Sequence, residues 1–246
     1  MADKLVGRLN WTTSAILNRL GRAQIKPLYA QVMSPLKGGR ISPWLFRALH
    51  WWCDFIDMMP SAKREVNSSE RPHMITWADA SGVDCIIAAV IYLKTQDRWY
   101  HCYMKVPDHI MSQFLAREDH EIQGQELLGV ILAYYSFRHW VAGTYWTIFC
   151  DNSSVLNMVL GGAAGASAGD LNTIVGKLWL QLVADDTAIS IARVPSKANI
   201  ADGPTRNFFQ LVNHLKSTHV AAVLPQWLDD FWSGFGSPKT GPSESH

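Results

Sequence analysis

Apolar residues recur with two different periods along the chain, and the period changes near residue 73. Upstream, over residues 3–33 and 44–58, they recur at spacings of three and four, which predicts helices. Downstream, short apolar runs bounded by turn residues predict strands. These strands are predicted over residues 73–80, 84–94, 98–106, 145–150 and 188–194. Three strands in a meander followed by alternating helices and strands predict an α/β fold, with helices on both faces of a mixed sheet.

Helical spacing returns between and after the last strands. Helices are predicted over residues 122–140, 152–160, 171–183 and from 207 to about 219. Two segments interrupt the pattern. Residues 61–72 are polar, and residues 161–169 contain only Gly, Ala and Ser, which indicates a flexible connection. We therefore predict a small N-terminal helical lobe at 1–60, a linker at 61–72, a main domain at 73–220 and an extension at 221–246 that ends in a disordered tail.

The composition is that of a globular protein, with 48% hydrophobic and 17% charged residues among 246. No run of 18 or more apolar residues lacks a charge or a turn signal, so we expect no membrane contact. The N-terminus does not match a secretory signal. The four cysteines lack metal-finger spacing, which indicates reduced core thiols. We expect an intracellular protein, cytoplasmic or nuclear.

The net charge of +1 conceals an asymmetry between the two parts of the chain. Residues 1–64 contain ten Lys or Arg and three acids, for a net charge of +7. The remainder has twelve bases and eighteen acids, for a net charge of −6. A basic lobe beside an acidic domain is expected of a protein that contacts phosphates with one part and metal ions with the other. Chance asymmetry on solvated surfaces is the alternative.

Four acids occupy apolar contexts at the ends of predicted elements. Asp79 ends the first strand, Asp151 ends the fourth, Glu126 lies near a helix start, and Asp202 follows the fifth strand after a loop. Four carboxylates that meet at one rim of the sheet would repel each other in a low dielectric. Bound Mg²⁺ or Mn²⁺ removes that repulsion, and two ions about 3.5–4 Å apart hydrolyse phosphodiesters in many enzymes. The sequence therefore predicts a two-metal site.

Each acid also has a structural alternative. Asp79 can be a turn residue before a Ser-Gly pair, and Asp202 can belong to an ordinary Asp-Gly turn. Glu126 can complement a helix dipole, and Asp151 can be the N-cap of the helix that begins at 152. The pair Asp185-Asp186 resembles the aspartates of a polymerase palm, but it is predicted to end a helix and too little chain precedes it.

Four short motifs give the acids a family context. They are Trp77-Ala78-Asp79-Ala80-Ser81-Gly82, Gln125-Glu126-Leu127-Leu128-Gly129, Phe149-Cys150-Asp151-Asn152 and Asn199-Ile200-Ala201-Asp202-Gly203-Pro204-Thr205-Arg206. Over residues 73–210 the chain resembles the ribonuclease H domain of retrotransposon reverse transcriptases, of DIRS type or gypsy-like. Residues 1–60 resemble the thumb or connection that precedes this domain. In integrases and transposases of this fold the glutamate comes last, whereas here it precedes Asp151.

The resemblance implies a five-stranded sheet in the order 3-2-1-4-5 and cleavage of the RNA strand of an RNA–DNA hybrid with two Mg²⁺ ions. Asp79, Glu126, Asp151 and Asp202 are the implied catalytic metal ligands. Residues of the same motifs are expected to support them: Ser81, Asn152, Asn199 and Arg206. Basic residues are expected to contact the nucleic acid: Arg8, Arg19, Arg22, Lys26 and Lys197.

Two departures from the family pattern affect the expected activity. The loop before the last acid, residues 195–198, has no histidine, and the Gly/Ala/Ser segment replaces the basic handle of cellular enzymes. The basic N-terminal lobe is expected to substitute for that handle. A reverse transcriptase polymerase domain is the expected protein partner. The alternative function is a non-catalytic nucleic-acid-binding or structural module of such a complex.

Overall fold

The computed structural model describes residues 2–15, 20–58, 71–115 and 120–232. These residues form an α/β fold around one mixed sheet, as predicted. The strands are β1 His73–Ser81, β2 Ile86–Leu93, β3 Arg98–Lys105, β4 Tyr145–Cys150, β5 Ala188–Arg193 and β6 Thr218–His219. They lie in the order β5-β4-β1-β2-β3-β6. The first three are antiparallel, whereas β4 is parallel to both β1 and β5, and β6 is parallel to β3.

Ten α-helical segments surround the sheet in the described part of the chain. They are α1 Ala2–Ala15, α2 Arg22–Met33, α3 Pro43–Met58, α4 Asp108–Met111, α5 His120–Ser136, α6 Arg138–Val141, α7 Ser153–Gly161, α8 Gly169–Ala184, α9 Asp202–Thr205 and α10 Gln210–His214. The helix predicted over residues 44–58 is confirmed as α3, and the Ser42 hydroxyl before it accepts a hydrogen bond from the Leu45 amide at 3.1 Å.

The sheet has six strands, whereas five were predicted. The additional strand, β6, takes the place of the end of a predicted helix. That helix was expected to reach residue 219, but α10 ends at His214. Lys216 has a φ of +53°, a left-handed conformation that stops a helix. The chain then pairs Thr218 with Tyr100 and His219 with His101 on β3. A two-residue strand has no period that the sequence could reveal.

Helix α5 is the central helix of the core. Its residues from Leu127 to Tyr134 are buried, and it packs across β1 and β2. It also ends earlier than the predicted residue 140, at Ser136, and α6 follows as a separate turn. A helix that is apolar on every side is typical of one enclosed by other elements, here the sheet, α7 and α8.

The N-terminal helices pack on the main domain through α8. Two glycines of α8 permit the approach: a Cβ atom added at Gly169 would lie 2.5 Å from Trp44, and one at Gly176 would lie 3.0 Å from Gln24. Trp51 and Trp52 are buried, 4% and 3% exposed, and are therefore packing residues of the core. Nearly all of the predicted linker, residues 61–70, lies outside the described residues.

The C-terminal segment beyond β6 packs against α5 of the main domain and α3 of the N-terminal lobe. The Val223 amide donates to the Ser136 hydroxyl at 2.9 Å, and the Trp227 indole donates to the Tyr135 hydroxyl at 3.1 Å. Phe231 is fully buried, and the Trp232 ring lies 4.6 Å from that of Trp44. The extension is thus part of the core up to residue 232. The predicted disordered tail falls on residues 233–246, outside the described part.

Two further sequence predictions concern the cysteines and the membrane. Cys102 and Cys150 are core residues, whereas Cys85 is half-buried and Cys53 is exposed, so the prediction of core thiols holds for two of the four. Among the described helices, none combines the length and apolar character needed to cross a bilayer.

Candidate metal centre

The pairing of β1 with β4 places two of the predicted acids side by side. Trp77 pairs with Phe149 in the parallel register, so Asp79 lies two residues further along β1 and Asp151 lies two residues beyond Phe149, directly after the end of β4. Residues two apart on a strand share a face, and the Trp77 and Phe149 rings stack on that face with centroids 5.6 Å apart. Asp79 is 3% exposed, and Asp151 is half-buried.

Helix α5 supplies the third acid, and a glycine sets its distance from the sheet. A Cβ atom added at Gly129 would lie 3.1 Å from the main-chain oxygen of Asp79, so helix and strand are close at this point. Glu126 lies three residues earlier, about one helical turn, and therefore on the same side of α5. Its side chain is directed to Asp79 and Asp151 and is 7% exposed.

Three carboxylates thus meet at one rim of the sheet. Single oxygens of Asp79, Glu126 and Asp151 all lie within 4.8 Å of one another. One Glu126 oxygen, Oε2, is buried and has no hydrogen-bond partner in the described structure. A buried carboxylate oxygen without a donor is costly unless a cation meets it. The three residues therefore fit a hard divalent cation, which prefers oxygen ligands.

The cluster strongly disfavours ionisation in the absence of a cation. Burial raises the pKa of Glu126 to about 9, and the charges of Asp79, Asp151 and Asp202 add to the effect. Burial also raises the pKa of Asp79 to about 7, although a hydrogen bond from Thr205 opposes the shift. Glu126 thus retains its proton at neutral pH and Asp79 is only partly ionised there, so a cation that binds at the cluster displaces protons.

Asp202, the fourth predicted acid, borders this group of three without joining it. It begins α9, and its Oδ1 accepts a hydrogen bond from Arg206 Nε at 2.8 Å. Its charge nevertheless contributes to the raised pKa values of Asp79 and Glu126, so it is close to both. Arg206 is one helical turn from Asp202, and its guanidinium partly neutralises the rim.

Two buried side chains hold the Asp79 carboxylate in place. Asn199, 4% exposed, donates from Nδ2 to Asp79 Oδ1 at 3.1 Å and to the Ala78 carbonyl at 3.0 Å. The Thr205 hydroxyl lies 2.8 Å from Asp79 Oδ2 and 2.8 Å from the Asp202 carbonyl. Asn199 was predicted to support the site, whereas Thr205 was missed. The signal for Thr205 was its position within the same motif, one turn after Asp202.

The other two predicted supporting residues lie beside the cluster. Asn152 is the N-cap of α7, and its Oδ1 accepts hydrogen bonds from the amides of Ser154 and Val155. This excludes the alternative in which Asp151 is the cap, because the cap position belongs to its neighbour. Ser81 is half-buried and pairs with Ile86 at the end of β1. Its side chain makes no hydrogen bond within the described structure.

The predicted basic contacts occupy two places. Lys197 is exposed in a 3-10 turn, Ser196–Ala198, directly before Asn199. On the N-terminal helices, Arg8 and Arg22 are exposed and Lys26 is half-buried. Arg19 lies outside the described residues. The basic side chains are therefore found both next to the cluster and on the lobe that packs against α8.

The aspartate pair that resembles a polymerase site is engaged in ion pairs away from the cluster. Asp185 accepts two hydrogen bonds of 2.7 Å from Arg138, one to each carboxylate oxygen, and this contact lowers the pKa of Asp185. Asp186 accepts a bond of 2.7 Å from Arg71. Bidentate arginine pairs of this kind fix the end of α8 against its neighbours.

Comparison with known proteins adds no further identification. The chain matches no model of a known protein family, and no curated protein gives a significant match. The assignment of a function therefore depends on the geometry of the carboxylate cluster and on the residues around it.

Proposed function

We propose that the protein is a metal-dependent endonuclease that hydrolyses the RNA strand of RNA–DNA hybrids during reverse transcription of a retroelement. The observation that carries the proposal is the meeting of Asp79, Glu126 and Asp151, from three separate elements, within 4.8 Å at one rim of the sheet. Burial of three carboxylates next to each other lowers the stability of the folded state unless bound cations neutralise them.

The order of the strands supports a ribonuclease H-like fold. Strands β3, β2, β1, β4 and β5 are contiguous in the sheet, with β6 added outside β3. The acids also follow the order that the resemblance implies: one on β1, one on α5 between β3 and β4, one directly after β4 and one after β5. The position of Glu126 between the first two aspartates favours ribonuclease H over integrases and transposases.

The chain's own residues have separate tasks in this mechanism. Asp79, Glu126 and Asp151, with Asp202 beside them, would hold Mg²⁺ or Mn²⁺. When bound, two such ions supply an activated water and a neutralised leaving oxygen. Asn199 and Thr205 fix the orientation of the Asp79 carboxylate, and Arg206 does the same for Asp202. Selectivity for RNA then comes from 2′-hydroxyl contacts and groove shape rather than base sequence.

Incubation of the full chain with labelled hybrid and Mg²⁺ tests the proposal. The RNA strand should be cut, and Asp79→Asn should reduce cleavage at least a hundredfold because the central ligand loses its charge. Asp84→Asn is the matched control, since Asp84 is exposed in the β1–β2 turn and is not among the clustered carboxylates. Uncut hybrid, or cleavage that survives Asp79→Asn, would reject the assignment.

The second candidate is a non-catalytic module that binds nucleic acid or supports a reverse transcriptase polymerase. The ion pair of Asp202 with Arg206 favours it, because the fourth acid is already neutralised. Calorimetric titration separates the two functions. An endonuclease binds Mg²⁺ at the cluster, whereas a module of this kind binds the hybrid but shows no heat of binding, of either sign, with Mg²⁺.

A further inference from the structure

A cleft of about 520 Å³ lies between α2 and the segment that joins α7 to α8. Polar and basic side chains of α1 and α2 form one wall, and small residues of the connecting segment form the other. The lining residues are Asn10, Arg22, Ile25, Lys26, Tyr29, Gly161 and Ala163. The cleft is thus a shared feature of the N-terminal lobe and the main domain.

The charge of this cleft is positive. Arg22 and Lys26 are four residues apart on α2, so they lie on one side of that helix. Neither forms an ion pair with a carboxylate of the described residues. Helix α2 has no acid, and the opposite wall belongs to residues 152–169, which contain no charged side chain. The positive charges of Arg22 and Lys26 therefore remain available to an anionic ligand.

The connecting segment also permits close approach of a ligand backbone. Residues 161–169 contain only Gly, Ala and Ser, so no long side chain of that segment fills the cleft. A Cβ atom added at Gly161 would meet nothing within 4 Å. Tyr29, 39% exposed, adds an aromatic surface to the basic wall. Basic groups next to an exposed ring are a common combination at nucleic-acid surfaces.

Helix α7 sets the distance from the cleft to the carboxylate cluster. It starts two residues after Asp151, and its last residue, Gly161, lines the cleft. Nine helical residues span about 13 Å. Each strand of a duplex carries one phosphate per about 3.4 Å of axis, so this length corresponds to roughly four nucleotides. A duplex with its scissile phosphate at the cluster can therefore reach the cleft.

We propose that the cleft binds the phosphodiester backbone of the nucleic acid about four nucleotides from the position of cleavage. This inference rests on the proposed function, since it places the same substrate. The N-terminal lobe then acts as the basic clamp of the domain. Arg22 and Lys26 bind the hybrid in the cleft. Their positive charge offsets the repulsion between the phosphates and the acidic rim at the carboxylate cluster.

A binding experiment that needs no cleavage tests this site. Fluorescence anisotropy of a labelled 18-base-pair hybrid is measured in EDTA with the full chain and with the double variant Arg22→Gln, Lys26→Gln. Loss of two phosphate contacts should weaken binding about tenfold near 0.1 M salt and should reduce the slope of log affinity against log salt by about 2. A control variant, Lys94→Gln with Arg98→Gln, removes equal charge from the exposed β2–β3 hairpin.

The outcomes separate this inference from the proposed function. An unchanged salt slope in the cleft variant, or an equal loss in the hairpin control, overturns the cleft as a site, even if hybrid is cleaved in an Asp79-dependent manner. A reduced slope in the cleft variant alone supports the site, even if no cleavage is found. Circular dichroism of both variants confirms that each is folded.

Discussion

Gly129 of α5 lies against the main chain of Asp79, so that an added methyl group would stand 3.1 Å from the Asp79 carbonyl oxygen. This contact determines how near Glu126, one turn away, comes to the strand. The missing side chain at position 129 is therefore a condition for the carboxylate cluster. It connects helix packing directly to the chemistry of the rim.

We expect Gly129→Ala to lower Mg²⁺ affinity several-fold, because the helix must move outward by a few tenths of an ångström. Gly7→Ala is the matched control, since Gly7 is helical and exposed and its added Cβ would meet nothing within 4 Å. That control should gain about 0.5–1 kcal/mol of stability from helix propensity. Calorimetry with Mg²⁺ and thermal unfolding measure both effects. If Gly129→Ala gained as much stability as Gly7→Ala and kept its affinity for Mg²⁺, the role of Gly129 would be contradicted.

The stability of the metal-free protein should fall as pH rises. The pKa values of Glu126, about 9, and Asp79, about 7, lie above the values near 4 of unfolded carboxyl groups. Between about pH 4 and 9 the folded state therefore binds more protons than the unfolded state, so the free energy of unfolding decreases with pH. Urea unfolding in EDTA at several pH values measures this slope, and Glu126→Gln should flatten it. A slope of the opposite sign would rule out buried protonated acids.

Added Mg²⁺ should stabilise the protein more at high pH than at low pH, because protons compete with the cation for the same oxygens. Thermal unfolding with 5 mM Mg²⁺ and with EDTA, at pH 6 and pH 8.5, gives the two increments. We expect the larger shift in melting temperature at pH 8.5. An Asp79→Asn variant serves as the control and should show little shift at either pH.

Thr205→Val should weaken the site without removing a ligand. The hydroxyl of Thr205 donates to the buried carboxylate of Asp79, and loss of such a bond costs about 1–3 kcal/mol. The same change also removes an interaction that lowers the pKa of Asp79, so metal binding should shift to higher pH. Thr95→Val, in the exposed β2–β3 hairpin, is the control. Urea unfolding measures the loss of stability, and Mg²⁺ binding at several pH values measures the shift in pH dependence. Only the Thr205 variant should show both effects.

The C-terminal segment should contribute strongly to stability. Phe231 is fully buried, so Phe231→Ala is expected to cost about 3–5 kcal/mol of unfolding free energy. Phe208→Ala removes the same ring from a site that is 65% exposed and should cost less than about 0.5 kcal/mol. Denaturant titration of both variants makes the comparison. Similar losses would mean that residues up to 232 are not part of the core.

The sequence predicted elements whose signal is local and repeated. Five strands and helix α3 follow from apolar runs and from apolar spacings of three and four, which depend on neighbouring residues only. Features made by distant residues were not accessible in this way. Lys216 stops a helix whose apolar period continues, and the pairing of Thr218 with Tyr100 depends on a strand more than a hundred positions away.

The candidate site shows the same division. Asp79, Asp151 and Glu126 could be proposed because each lies near the end or the start of an element with a clear pattern. The ion pair that draws Asp202 to Arg206, and the hydroxyl that Thr205 presents to Asp79, depend on how α9 folds back on β1. A helix of four residues is too short to show a periodicity, so the directions of its side chains could not be predicted from the sequence.

The guanidinium of Arg47 contacts the rings of both Trp44 and Trp232, 5.2 Å and 5.1 Å from their centroids. One ring belongs to the third helix and the other to the last described residue. During synthesis on the ribosome, the first ring emerges long before the second exists. The N-terminal lobe can dock on α8 earlier, but it cannot complete this three-residue contact until residue 232 has been synthesised.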